Sequence, residues 1–335
     1  MAILEIGRRL MMVSAVMSLV MLTALTAVPD GTAADEVDIN VVCTNSVLAD
    51  FALNVIGDGH AEDVTVEFIM PAGVCPSHFD TSPSDVVTIA EADVVISLGW
   101  EPWLTDLIEA SGNDDAYEIE CMGLGEWNMP SGAEAHICAI ADGLSGYMPD
   151  WTDENEENAA AYSDEIYDAY ENARLSIEAQ GFNGTKVVAI EWYTVFLEGL
   201  GFDVVLGYGA PEGLSTADLL NVTTTLEDPD IAMVVDNLQS GVDFGSNVAS
   251  ESGKIHIVLS NFPGAIPGMY TYLENLGYNV NELLNGASTY EETQDEIVDL
   301  ESKVSDLEFQ RTALAAAVGV MAVLLAVAVV VARRR

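Results

Sequence analysis

Residues 153–180 run for 28 positions without a glycine or a proline, and no other stretch constrains the fold as strongly. Tyr162, Ile166, Ala169, Ala173 and Ile177 recur at three- and four-residue spacing, which predicts one amphipathic helix with one buried face. Gly181 follows as its C-terminal cap. A single stiff helix of this length divides the chain into two halves, which should move little relative to each other.

Each half alternates strands with helices. Before the long helix, strands are predicted at 38–44, 64–70, 93–99 and 117–122. The third is apolar at nearly every position, as a strand covered on both faces must be. Helices are predicted at 46–56, where Val47, Leu48, Phe51 and Val55 share a face, at 85–92, and at 101–110 with Pro102 in its first turn. After the long helix, strands are predicted at 186–191, 202–206, 231–236 and 254–260, with helical stretches between them and another at 269–284. This alternation implies parallel βαβ units. The expected fold class is α/β: two lobes, 35–150 and 182–286, each with a mainly parallel four-stranded sheet flanked by helices, joined by one long rigid helix at 151–181. A cleft between two such lobes is a favoured ligand site.

The ends of the chain lie outside this pattern. Arg8 and Arg9 precede an apolar run at 10–28 and small residues ending at Ala33 and Ala34, so 1–34 reads as a secretory signal peptide; an uncleaved N-terminal anchor is the other reading. Residues 312–332 are apolar and uncharged, about the length that spans a bilayer as a helix, and Arg333, Arg334 and Arg335 close the chain. The positive-inside rule places 333–335 in the cytoplasm and the body outside the cell membrane. Between body and span, Ile297, Leu300, Val304 and Leu307 keep a and d spacing among acidic residues, which predicts a helical stalk at 287–311.

Formal net charge is −45, from 55 acidic and 10 basic residues, and only Lys186, Lys254 and Lys303 are lysines. The acidic residues are spread through every segment, as on a solvated surface, and the balance resembles that of salt-adapted proteins. It excludes nucleic acid as a partner, since phosphate binding needs the opposite sign. It would concentrate cations at the mouth of a cleft, an effect that salt screens.

Chemistry-bearing residues gather in the loop Pro71-Ala-Gly-Val-Cys-Pro-Ser-His-Phe-Asp-Thr-Ser-Pro-Ser-Asp85. A thiol (Cys75), an imidazole (His78) and two carboxylates (Asp80, Asp85) fall within eleven residues where a strand hands over to a helix. In open α/β sheets, ligands bind at that edge. Other residues have plainer readings. His256 alternates within an apolar strand, His136 and Cys138 lie on the helix after Pro130, His60 sits in a turn, and Trp100 and Trp103 suit packing.

Thr44-Asn-Ser46 with Leu48-Ala-Asp50, Pro71-Ala-Gly73, Pro83-Ser-Asp85, Ala90-Glu-Ala-Asp93, Gly99-Trp-Glu101-Pro-Trp103 and the long helix occur in an order that resembles the zinc- and manganese-type solute-binding proteins of metal ABC importers, the ZnuA/TroA-like family. The similarity covers residues 37–284. It implies one divalent transition metal held between the lobes as cargo, zinc first, with manganese or copper as alternatives. It also implies an ABC permease and ATPase as partners, and no enzymatic activity. Carried over position by position, the family's ligand pattern is incomplete. The first histidine, directly after a proline, meets Ser77, and His78 follows one place later. The second, shortly before a Trp and a Pro, falls on Gly125, with Glu126 next to it. The third lands on Glu191, and the fourth, an acid, on Ser260-Asn261.

The metal ligands implied are therefore His78, Glu191, Cys75 and Glu126. Cys43, Cys121, Trp127, Trp192, Asp236 and Ser260 are further candidates for the cleft. Cys43, Cys75 and Cys121 fall at or after strand ends and have two open readings: thiolate ligands, which favour zinc or copper(I), or a Cys75–Cys121 disulfide of the kind common outside the cytoplasm. Two other functions compete with metal capture: binding of a chelated metal or small organic solute on the same fold, and surface adhesion. Hydrolytic chemistry finds no support, because the chain has no Gly-x-Ser-x-Gly, His-Glu-x-x-His or Walker motif.

Overall fold

The computed structural model describes residues 39–123 and 126–333. The expected signal peptide at 1–34, Leu124, Gly125, Arg334 and Arg335 lie outside the described residues. The first lobe runs β1 (Ile39–Cys43), α1 (Ser46–Ile56), β2 (Val64–Phe68), α2 (Pro83–Ala90), β3 (Val94–Ser97), α3 (Leu104–Ser111), β4 (Tyr117–Glu120) and α4 (Pro130–Tyr147). Its strands lie in the order β2-β1-β3-β4, all parallel. Val41, Val42, Val94 and Ile96 on the two central strands are fully buried. Helices cover both faces, so these strands carry no polar side.

Local signals fix the helix starts. Asn45 caps α1, its side-chain oxygen accepting from the N–H groups of Val47 and Leu48 at 3.0 and 3.1 Å. Asp85 accepts from the Ser82 N–H at 2.6 Å ahead of α2. The helix expected from residue 101 begins instead at Leu104. Glu101 turns its carboxylate back onto the Leu98 and Trp100 N–H groups, at 2.9 and 3.1 Å, which holds this segment as a turn.

The long helix is α5 (Thr152–Ala179), within a residue of its expected limits. Its buried stripe includes Ala159, Tyr162, Ile166, Ala173 and Ile177. At one end Tyr162 donates to Asp50 of α1 at 2.6 Å, and Asn158 donates to the Val55 carbonyl at 3.0 Å. Burial raises the Asp50 pKa above the usual carboxylate range, and the bond from Tyr162 opposes that shift.

The second lobe repeats the plan with β5 (Lys186–Ile190), α6 (Thr194–Leu200), β6 (Asp203–Tyr208), α7 (Thr216–Thr225), β7 (Ile231–Asn237), α8 (Asp243–Ser252) and β8 (Ile255–Leu259). The strand order, β6-β5-β7-β8, matches that of the first lobe, again all parallel. Tyr170 of α5 packs on Phe196 of α6, with ring centroids 6.2 Å apart, so the same helix is built into both lobes. Direct bonds also join them: Ser46 Oγ donates to the Pro263 carbonyl at 2.7 Å, and Gln239 Nε2 to the Ala72 carbonyl at 2.8 Å.

The chain leaves as α9 (Tyr272–Arg333), one helix of 62 residues. The separate terminal helix, stalk and apolar segment expected at 269–284, 287–311 and 312–332 are therefore continuous. No proline follows Pro267 to interrupt the backbone ladder. Tyr290 makes the last contact with the second lobe, donating to the Pro229 carbonyl at 3.4 Å, and residues 291–333 are exposed. This helix is long and apolar enough to cross a membrane by length and composition. Ile297, Leu300, Val304 and Leu307 form an uncovered apolar stripe on it.

Gly132 near the start of α4 sits under the turn that carries Glu126. A Cβ there would lie 2.0 Å from the Glu126 carbonyl oxygen, a backbone atom that cannot move aside cheaply. Gly132→Ala should cost about 1–3 kcal/mol by overpacking. Thermal unfolding followed by circular dichroism checks this, and an unchanged Tm would contradict the close approach.

Candidate functional site

Strand order reverses between β1 and β3 in the first lobe and between β5 and β7 in the second, and loops leaving such switch points carry ligand-binding groups. The two sets of loops face each other across a cleft of about 460 Å³. Cys75, His78, Trp100, Glu126 and Trp127 line it from the first lobe. Trp192, Glu212, Asn237, Gln239, Asn261 and Phe262 line it from the second.

Buried neighbours position these groups. Trp103 donates its indole N–H to the Pro76 carbonyl at 3.0 Å and packs edge-on against Phe79, with centroids 5.0 Å apart, anchoring the loop that bears Cys75 and His78. Glu101 is only 7% exposed and also accepts from Thr44 Oγ1 at 2.5 Å, fixing the turn that presents Trp100. Trp127 stacks on Phe262 at 5.9 Å and meets the edge of buried His136 at 6.0 Å. Burial lowers the His136 pKa, so its ring is a neutral packing element, with Nδ1 2.8 Å from the Gly132 carbonyl.

An imidazole of one lobe does face a carboxylate of the other, but the carboxylate belongs to Glu212. His78 Nε2 lies 3.6 Å from Glu212 Oε1, with the two side chains 60% and 53% exposed. Glu191, expected opposite His78, instead lines a separate groove within the second lobe with Tyr208, Gly209 and Asp218. It stands on a single helical turn, Glu191–Tyr193, that directs Trp192 to the cleft and Glu191 toward β6.

At two other positions implied by the resemblance, the structure has an amide bridge. Asn128 Nδ2 donates to Glu126 Oε1 at 2.8 Å and to Asn261 Oδ1 at 3.0 Å, and the Trp127 indole N–H reaches the Asn261 carbonyl at 3.3 Å. Tyr272 OH adds a bond to the Trp127 carbonyl at 2.6 Å. These contacts tie the lobes together where a histidine and an acid were expected. Among the described residues, no three His, Cys, Asp or Glu side chains group closely enough to hold a metal ion.

The remaining candidates lie away from the cleft. Asp236 is fully buried and faces α8: Tyr208 OH donates to it, His256 Nε2 lies 2.8 Å from its Oδ2, and Gly245 leaves the space its carboxylate fills. Ser260 is a buried anchor for the start of α9, its carbonyl accepting from Asn275 and Asn279 at 2.7 and 2.9 Å. Cys43 and Cys121 are buried, and all four cysteines are free, so Cys75 and Cys121 are not bonded. Burial, then Glu101 and Glu120, pushes the Cys121 thiol up to about 12, and burial, then Cys121, pushes Cys43 higher still. Thiols that stay protonated are poor metal ligands.

Comparison with known proteins agrees with this architecture. The family model described as zinc-uptake complex component A, periplasmic, matches residues 41–286. The manganese-binding lipoprotein MntA of Halalkalibacterium halodurans is 25% identical over 279 residues, covering 77% of this chain and 91% of the relative. The manganese ABC transporter substrate-binding lipoprotein PsaA of Streptococcus pneumoniae is 27% identical over 198 residues, covering 52% of this chain and 60% of the relative. In fold, the chain resembles the crystal structure of ZnuA, with a TM-score of 0.61 at 18% identity, covering 75% of this chain and 99% of the other. The periplasmic metal binding protein from Candidatus Liberibacter asiaticus gives 0.61 at 19%, with coverage of 74% and 99%.

Cysteine accessibility tests the placement of the thiols. Partly exposed Cys75 and exposed Cys138 should react with DTNB in the native protein, and Cys43 and Cys121 only after unfolding. Loss of both the Cys75 and the Cys121 signals from the unfolded, unreduced chain would show that these two are bonded.

Proposed function

Because the chain belongs to the family of the periplasmic component A of zinc-uptake complexes, we propose that it is the extracytoplasmic solute-binding component of an ABC importer, with a divalent metal as cargo. The observation that carries this reading is the approach of His78 to Glu212 across the cleft. A cation bound there would bridge the two lobes at their existing spacing. Cys75 and Glu126 lie on the same walls, so the donors on offer are imidazole, thiolate and carboxylate. That set suits zinc better than manganese, which prefers oxygen ligands.

The relatives named for metal transport support the cargo class, and the permease and ATPase of the importer are the partners. Residues 312–332 anchor the body to the membrane, with Arg333 on the cytoplasmic side. The net charge of −45 raises the local concentration of cations at the surface.

Equilibrium dialysis of residues 35–311 against zinc and manganese, followed by elemental analysis, tests the cargo. His78→Ala and Glu212→Ala should each weaken binding by about ten-fold or more, and Glu191→Ala should leave it unchanged. Absence of bound metal at micromolar free concentration would overturn the reading. In membrane fractionation, truncation after Arg311 should release the protein from the pellet; retention there would refute the anchor.

A further inference from the structure

Basic residues are distributed in a way that bears on what enters the cleft. No lysine or arginine occurs from residue 39 to residue 173, which covers the whole first lobe. The second lobe has Lys186 and Lys254, both at the strand edge opposite the cleft. There Lys186 Nζ lies 3.4 Å from Asp228 and from Asp230, and Lys254 Nζ donates to the Asp228 carbonyl at 2.6 Å. The cleft lining therefore has two carboxylates, Glu126 and Glu212, and no lysine or arginine. Among the described residues Glu126 Oε1 takes bonds from Asn128, and no lysine or arginine of the lining faces it. A bound cation would supply the missing charge.

The remaining walls offer contact surface that a bare ion leaves unused. Trp100, Trp127, Trp192 and Phe262 bring four aromatic side chains from both lobes to one cavity, and Trp100 is 46% exposed. A hydrated or chelated ion gains little from such surface. A cation with an apolar shell gains from both the ring faces and the burial. A volume of about 460 Å³ is also that of a small-molecule site.

We infer that the cleft takes an organic cation of the methylated-ammonium class, its charged head held by the aromatic wall of Trp100, Trp127 and Trp192 and by the Glu126 carboxylate. This rests on the cleft being the solute site, as family membership implies, and not on metal binding there. The amides of Asn237, Gln239 and Asn261 are already bonded to Tyr193, to the Ala72 carbonyl and to Asn128, so they form a fixed, uncharged part of the wall.

The test uses the full-length chain in a non-ionic detergent at fixed ionic strength. Choline is titrated against its neutral isostere 3,3-dimethylbutanol, with binding read by tryptophan fluorescence and calorimetry. Choline should bind about ten-fold or more tightly than the isostere. Trp100→Leu, at an exposed position that spares the core, and Glu126→Gln should each remove most of that preference. Equal binding of choline and the isostere, or an unchanged preference in both variants, overturns the inference. Zinc binding measured on the same preparations separates the two readings: metal uptake without choline binding rejects only the organic cation, and choline binding without metal uptake rejects only the metal.

Discussion

Parallel strands deliver every chain exit to one edge of a sheet, and this directional constraint organises the whole molecule. The crossovers need helices on both faces, so the central strands are largely apolar and the polar chemistry is pushed to the loops at that edge. Two sheets of identical order, set with those edges toward each other, make a cleft without any element devoted to it. α5 is built into both lobes, and the bonds from Ser46, Gln239 and Asn128 across the gap hold its width. The cleft is a consequence of strand direction, and its rigidity a consequence of one helix shared by two cores.

Fold was legible in the sequence because its signals are local and repeated. Every strand was foreseen within about three residues, and the stripe Tyr162, Ile166, Ala173, Ile177 fixed α5. The site was legible only as a region. The loop with Cys75 and His78 was found because it follows a strand, yet the same rule applied to the loop after β6 would have found Glu212, which spacing alone did not single out. Glu191 and Trp192 were both placed near the cleft, but adjacent residues on a single helical turn point in different directions, and one-dimensional order does not say which faces inward. Asp236 illustrates the reverse case: an acid near the end of β7 enclosed by His256 from adjacent β8 and by Tyr208 from β6, two strands away.

The cleft combines two features that seldom occur together. Its field is set by an absence, the lack of lysine and arginine through an entire lobe, and its contact surface is set by indole rings. Where the resemblance implied a histidine and an acid, Asn128 and Asn261 make a neutral bridge that fastens one lobe to the other. Neutral amides satisfy each other without the desolvation cost of a buried charge. The surrounding carboxylates are thereby left as the charged determinants of what the cleft admits.

α9 has no break between the base of the cleft and its apolar end, and this gives the molecule a fixed compass bearing. At ~1.5 Å and ~100° per residue, the interval from Tyr290 to Thr312 is a shaft roughly 33 Å long. Each residue inserted into or deleted from that shaft would swing the cleft mouth by more than a quarter turn around the axis while changing its height hardly at all. The length of this segment thus sets the angle between the cleft mouth and any given face of the apolar end.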